Sequence, residues 1–498
     1  MSEELLVNVT PRETRVAFIE NGVLQEVHVE RARKRGLVGN IYKGVISRVL
    51  PGMQAAFVEI GLERTAFLHA SDIAVPNGNG GVRLPMEGEE RPTRPVDNIT
   101  SLVREGQEIL VQVVKDPLGT KGARLTTHIA IPARFLVLVP GTTHIGVSQK
   151  IEHDEERQRL KNAVQERIAQ FPPAGYIVRT AAEGVDAEAL GRDMEFLAKL
   201  WTAVRERSVT EKPGALIHED MPLVMRTMRD LVGTDRVEKI RIDSRETFQK
   251  VQKFASKFIP ELAPQVEHYS GERPIFDIYG VEDEIQRALE RKVQLKSGGY
   301  LIIDQTEAMT TIDVNTGAFV GHRNLEETIF KTNLEATQAI ARQLRLRNLG
   351  GIIIIDLIDM TEPDHRRQVL RSLEKALERD HAKTSISEVS ALGLVQMTRK
   401  RTRESLEHTL CSACPTCNGR GTLKTPETVC YEIFREIMRE VRQFDAQQLL
   451  VLASQEVVDM LLDEESTSVA ELEEFIGRPI KFQVETMYMR EQFDVVLM

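Results

Sequence analysis

Aromatic residues supply only 5% of this 498-residue sequence, tryptophan occurs once, and cysteine four times. All four cysteines, Cys411, Cys414, Cys417 and Cys430, lie in the C-terminal fifth. So sparse a set excludes a disulfide-stapled scaffold and points to a reduced compartment with a local metal site. No run approaches the roughly 18 apolar residues that a membrane span requires. Met1 to Pro11 has neither the basic flank nor the apolar segment of a secretory leader. The expected location is therefore the cytoplasm, with no membrane partner. Positive charge is also short: 65 Lys and Arg stand against 75 Asp and Glu, a net charge of −10. An acidic average works against a polyanionic partner, because phosphate neutralisation dominates nucleic-acid affinity. Basic residues nevertheless cluster at Arg31, Arg33, Lys34 and Arg35 and at Arg399, Lys400, Arg401 and Arg403. Local positive patches would coexist with an acidic remainder, although solvated helix faces explain such clusters equally well.

What is present is enough apolar residue, 41%, for about three to five compact units. Thr14 to Ile19 and Val23 to Val29 flank Asn21-Gly22, a two-residue hairpin signal. Short runs at Ile41 to Val49, Ala55 to Ile60, Thr65 to His69 and Gly106 to Val114 predict a small five-stranded barrel. It is interrupted by a charged, proline- and glycine-bearing tract from Leu84 to Asn98 that reads as a mobile insertion. Runs at Phe135 to Val139 and Tyr176 to Val178 bracket a charged helix from Asp154 to Gln170, an α/β unit. Val281 to Leu295 and Leu325 to Leu349 carry helical periodicity. Ile352 to Ile355 reads as a fully buried strand, and alternation of strands and helices predicts a layered α/β core.

Three constellations carry chemistry. Two apolar strands, Met309 to Asn315 and Ile352 to Asp356, hold Asp313 and Asp356 at their ends, where α/β sheets bind ligands. From adjacent strands they form a hard oxygen site for Mg²⁺, which takes one or two protein carboxylates and otherwise keeps water and substrate phosphate. Asn315, on the same strand face, orients Asp313; Asp304, Glu307 and Asp359 are rival ligands, and helix or turn capping is the plainer account. The second is Cys411-Ser-Ala-Cys414-Pro-Thr-Cys417, a zinc knuckle pattern. A tetrahedral site needs four ligands: either Cys411 and Cys430 complete it within one chain, or Cys414 and Cys417 pair with the same residues of a second chain, which predicts a dimer. The third is the barrel's Phe57 and Phe67, with Tyr42 nearby and Lys115 and Lys121 after the last strand. Such barrels stack bases of single-stranded nucleic acid on rings in a basic groove, while core packing explains each Phe singly. Gly119-Thr120-Lys121-Gly122 lacks the phosphate-loop pattern, so no nucleotide triphosphatase is inferred.

The runs Gly39-Asn-Ile-Tyr-Lys-Gly44, Pro51-Gly-Met-Gln-Ala-Ala-Phe57, Val178-Arg-Thr-Ala-Ala-Glu-Gly184, Ile303 to Thr316, Gly351 to Met360 and Cys414-Pro-Thr-Cys417 resemble the catalytic region of the ribonuclease E/G family, over nearly the whole chain. The absence of a long tail after Met498 points to the G branch. The resemblance implies a multidomain α+β fold. Its parts are a ribonuclease H-like subdomain (1–38 and 225–288), an inserted OB-type RNA-binding barrel (39–127), a 5′-end sensor (128–224), a deoxyribonuclease I-like catalytic subdomain (289–410), a zinc link (411–425) and a small C-terminal assembly domain (426–498). It also implies a Mg²⁺-dependent, single-strand-specific endoribonuclease. Such an enzyme cuts A/U-rich RNA to 5′-phosphate and 3′-hydroxyl products, in ribosomal RNA 5′-end maturation and messenger-RNA decay. On this mapping Asp313 and Asp356 hold Mg²⁺ with Asn315 in support, and Phe57, Phe67, Lys115 and Lys121 guide RNA. Arg179 and Thr180 grip a 5′-monophosphate, and Cys414 and Cys417 of two chains share one zinc in a homodimer. One departure is Lys383, where the family's supporting residue is arginine; it donates, but not as a bidentate fork. The rivals are a catalytically silent RNA-binding factor and a zinc-dependent nuclease centred on Cys411 to Cys417.

Overall fold

A computed structural model describes residues 2–74, 98–118, 121–231, 237–317, 325–380, 382–390, 392–401, 403–444 and 446–498. The expected insertion from Leu84 to Asn98 lies, but for Asn98, outside them. Two compact units divide the chain, Met1–Thr409 and Leu410–Met498.

Asn21 and Gly22 both adopt left-handed φ, 49° and 78°, the condition for a tight turn matched to strand twist. They join Glu13–Glu20 to Val23–Arg31 as expected. Glu3–Val9 extends this hairpin on one side and pairs in parallel with Val237–Ile242 on the other, which in turn pairs with Val266–His268. Pairing residue 3 with residue 237 makes the stretch between Arg31 and Val237 an insertion into one sheet.

The first part of that insertion is a closed barrel. Ile41–Leu50, Ala55–Glu59, Ala66–His69, Arg124–Thr126 and Glu108–Lys115 follow one another, and the last pairs back onto the first. Closure leaves no open edge. Ile46, Val58, Leu68, Val111 and Leu125 fill the interior. Gly44 is required there, because a Cβ would meet Val58 Cγ1 at 2.5 Å. Tyr42, expected beside the exposed rings, belongs to this core at 5% exposure: strand alternation turns it inward. The second part is a four-stranded sheet ordered Ile145–Val147, Gly175–Val178, Leu136–Val139, Ile131–Pro132, packed by helices Asp154–Arg167 and Ala187–Thr210.

A six-stranded mixed sheet, in the order Lys292–Gln294, Tyr300–Gln305, Met309–Asn315, Gly351–Asp356, Leu394–Arg399, Thr384–Ile386, completes the first unit. Helices Leu325–Leu346 and Pro363–Leu377 pack with it around one core. Two expectations change here. The helix expected over Val281 to Leu295 stops at Arg287, because Val293 is taken by a strand pairing with Leu301; Gly298 and Gly299 close that hairpin rather than cap a helix. The Ile352 to Ile355 strand is not buried on both faces. Ile353 and Ile355 are fully buried, each stabilising by about 1.5–3 kcal/mol, while Ile352 is 49% exposed. The helices cover only one face of the sheet. Arg345, on the first of them, is buried between Glu20 and Glu26 at 2.9 and 3.0 Å, tying the helix to the N-terminal sheet.

The second unit centres on Leu449–Ala453, parallel to Ile480–Val484 and antiparallel to Phe493–Leu497. It packs with helices Pro426–Gln443, Gln455–Leu462 and Ser466–Ile476 into a small α/β fold. Among the described residues no helix is long and apolar enough to cross a membrane.

Candidate functional site

Alternation along Met309–Asn315 buries Ile312 and Val314 and leaves Asp313 on the open face of the six-stranded sheet. Ile353 and Ile355 likewise point to the core, and Asp356 stands outward. The two strands pair in parallel, with Asp313 directly opposite Asp356. Neighbouring strands lie about 4.8 Å apart, so two carboxylates 43 residues apart in sequence meet on one exposed face. Asn315 Nδ2 donates to Asp313 Oδ2 at 2.9 Å. Partial burial pushes the Asp356 carboxyl above its ordinary range, and the charges of Asp313 and Asp359 push the same way. An acidic pair of this kind is repulsive until a cation neutralises it.

The rival ligands fare differently. Asp304 is bound by the Arg291 guanidinium through two contacts, at 2.5 and 2.6 Å. Asp359 adds its charge near Asp356, yet among the described residues no three His, Cys, Asp or Glu side chains converge as a metal cage. The pair is thus a two-carboxylate site, a donor set that suits magnesium, which retains water.

Cys414 and Cys417 lie on the turn following Leu410, with Cys411 and Cys414 exposed. Backbone amides of Cys417 and Thr416 hold the Cys414 thiol below its usual pKa. Cys430 does not join them. It is fully buried on Pro426–Gln443, and burial pushes its thiol up to about 11. Among the described residues no three cysteine, histidine or acidic side chains converge, so the structure does not bring Cys430 together with Cys411, Cys414 and Cys417.

On the barrel, Phe57 pairs with Phe67 across adjacent strands, rings edge to face at 6.3 Å, and His69 follows at 6.5 Å from Phe67. Phe67 is in register with Arg124, and Arg124 with Lys115. Two half-buried rings and two cations thus cross four strands in one row. Lys115 and Lys121 are exposed, and neither is ion-paired among the described residues. Arg124, held by Asp72 at 2.8 Å, and His69 were not picked out from the sequence, because strand register is invisible there.

Arg179 Nη1 donates to the Ala133 carbonyl at 2.6 Å. Beside it, Lys400 Nζ donates to Thr180 Oγ1 at 2.6 Å and Lys383 Nζ pairs with Glu183 Oε1 at 2.6 Å. Burial, and the neighbouring charges of Lys383, Lys150 and Arg179, lower the pKa of Lys400, while Glu183 raises it. Loop segments 200 residues apart thereby gather four cations and one carboxylate around Thr180. The basic run at Arg399 to Arg403 is otherwise not a patch. Arg399 is buried against Asp380 at 2.6 Å and Arg401 donates to the Gly350 carbonyl. The N-terminal run is likewise engaged, Arg31 by Glu13 and Arg35 by Glu219. Lys400 is the member of these runs that reaches a candidate site.

A ring-and-cation barrel joined to an α/β sheet with paired carboxylates defines a multidomain α+β protein of nucleic-acid chemistry. Residues 37–127 match the S1 RNA binding domain, 130–402 the Ribonuclease E/G family and 413–497 the thioredoxin-like domain of RNase E/G. The chain belongs to the ribonuclease E/G family. It is 59% identical to Ribonuclease G of Escherichia coli over the full length of both chains, and 57% identical to Ribonuclease G of Haemophilus influenzae over 99% of each. It is 37% identical to Ribonuclease E of Escherichia coli over 95% of this chain and 44% of that one.

Proposed function

We propose that this chain is a Mg²⁺-dependent endoribonuclease of single-stranded, A/U-rich RNA, leaving 5′-phosphate and 3′-hydroxyl ends. It prefers 5′-monophosphorylated substrates and acts in ribosomal RNA 5′-end maturation and messenger-RNA decay in the cytoplasm. One observation carries the reading: the register that sets Asp313 opposite Asp356 on the open face of a sheet, in a chain of this family. In this reading the interrupted N-terminal sheet is the ribonuclease H-like subdomain and the six-stranded sheet the deoxyribonuclease I-like catalytic one.

Magnesium, when bound, supplies a Lewis acid for the scissile phosphate and lowers the pKa of attacking water. Asp313 and Asp356 would hold it, and Asn315, donating to Asp313 Oδ2, would orient that carboxylate. Phe57 and Phe67 stack bases, and Lys115 and Lys121 neutralise adjacent phosphates, which selects unpaired RNA because only unpaired bases expose their faces. Arg179, Thr180 and Lys383 receive the 5′-phosphate. Lys383 carries this part as a point charge rather than a fork, engaged by Glu183. Cys414 and Cys417 from two chains would together hold one structural zinc in a homodimer. With Cys430 buried, one chain has three cysteines near the turn, short of the four ligands a structural zinc takes.

The test compares one short RNA bearing a 5′-monophosphate, 5′-triphosphate or 5′-hydroxyl, with and without Mg²⁺. Cleavage only with Mg²⁺ and fastest on the monophosphate is expected. Binding without cleavage would favour a silent RNA-binding factor, and equal rates on all three ends would remove the sensor.

A further inference from the structure

The cation cluster around Thr180 contains an acid that an anion-binding site does not need. Glu183 follows the Thr180–Ala182 turn and pairs with Lys383 at 2.6 Å. Its side chain is 19% exposed and that of Lys383 is 62% exposed, so the carboxylate sits under the ammonium rather than in free solvent. It also faces Lys400, whose Nζ is committed to Thr180 Oγ1. Lys150 and Arg179 complete the cluster. Around Lys400 these make four cations against one anion, with Arg179 also facing Asp230 and Asp193, so the site is less positive than its cations alone would make it.

We propose that Glu183 is a specificity-determining residue: its carboxylate holds Lys383 and trims the positive charge facing the RNA 5′ end, which reduces the electrostatic advantage that a triphosphate would have there over a monophosphate. The inference rests on the 5′-end reading above. A triphosphate carries roughly twice the charge of a monophosphate and extends further from the ribose. Coulomb energy scales with the product of charges, so a fixed carboxylate in the site opposes the larger anion more strongly. The same lysines and arginine without the carboxylate would favour the more highly charged end by a wider margin. The ion pair also answers the departure at Lys383. An ammonium lacks the planar fork that fixes arginine on a phosphate, and Glu183 supplies the fixed partner that positions it.

The test measures kcat/KM on one RNA with a 5′-monophosphate, 5′-triphosphate or 5′-hydroxyl, for wild type, Glu183→Gln, Lys383→Met and the double variant, at low and high salt. Glu183→Gln is expected to narrow the monophosphate-to-triphosphate ratio several-fold, chiefly by raising cleavage of the triphosphate, with the difference shrinking as salt screens it. Lys383→Met is expected to lose several-fold on the monophosphate, because it removes a phosphate-facing ammonium and leaves Glu183 facing Lys400 alone, and the double variant to recover the part of that loss due to Glu183. A wild type that discriminates among the ends while Glu183→Gln leaves the ratio unmoved overturns this inference alone. A wild type indifferent to the 5′ end overturns the sensor reading and this inference with it. Melting temperatures of the variants separate a charge effect from misfolding.

Discussion

Asn333 closes both hydrogen bonds of the Ile358 peptide: its Nδ2 donates to the Ile358 carbonyl at 2.8 Å, and its Oδ1 accepts from the Ile358 amide at 3.1 Å. The asparagine is fully buried on the helix Leu325–Leu346, and Ile358 lies two residues beyond Asp356. Strand pairing ends at Asp356, so this side chain substitutes for the ladder where the carboxylate leaves the sheet. Asn333→Ala leaves two backbone groups unmade, costing about 1–3 kcal/mol of stability. The expected signature beyond that loss is a several-fold rise in the Mg²⁺ concentration giving half-maximal cleavage, with RNA affinity unchanged. A variant that is merely less stable, with wild-type Mg²⁺ dependence, would show that the loop holds Asp356 without it.

The barrel row predicts a binding defect separable from chemistry. Each base stacked on an aromatic ring contributes about 1–3 kcal/mol, so Phe57→Ala or Phe67→Ala should weaken single-stranded RNA binding by roughly ten- to a hundredfold. The barrel should stay folded, since both rings are only half-buried. Fluorescence anisotropy with a short labelled RNA checks this, and wild-type affinity in both variants would return the rings to a packing role.

The contrast between Tyr42 and Phe57 marks how far the sequence could be read. Both sit in runs of alternating residues, and the alternation predicted the strands and the barrel; which ring faced inward depended on closure, which sequence does not display. The same holds at the candidate metal site. Two apolar runs each ending in aspartate were legible, whereas their parallel register was not, because it is set by packing under the helices. Lys400 is the sharpest loss. It stood in a basic run read only as a patch, and its contact with Thr180 spans 220 residues. Val293 failed for another reason: a short apolar run is compatible with helix and strand periods alike, and pairing with Leu301 decided it.

The cysteines divide into two roles. Cys414→Ser or Cys417→Ser should abolish zinc retention and shift the protein from dimer to monomer, read by light scattering with metal analysis. Cys430→Ser should keep zinc and the dimer but cost about 1–3 kcal/mol, because a hydroxyl is buried in an apolar core. Loss of zinc in Cys430→Ser, or its retention in Cys414→Ser, would contradict this division.

Acid sensitivity follows from two half-buried histidines. Burial lowers the pKa of His128 and of His218 below the ordinary 6.5, and His128 Nδ1 has no hydrogen-bond partner among the described residues. The folded state therefore binds these protons less readily than the unfolded chain. Their contribution is fully present above about pH 6.5 and is lost as pH falls toward the folded values. Melting temperature should drop between pH 7 and pH 5.5 and should drop less in the His128→Gln/His218→Gln double variant. Equal slopes would assign the acid lability elsewhere.

Whether Asp313 and Asp356 share one cation is tested most directly by titrating Mn²⁺, a spectroscopic stand-in for Mg²⁺, into wild type, Asp313→Ala and Asp356→Ala while following bound metal by electron paramagnetic resonance and cleavage in parallel. The account predicts a site in wild type that weakens sharply in both single variants, with cleavage reduced on the order of a thousandfold or more in each. Wild-type metal binding or wild-type cleavage in either variant would contradict it.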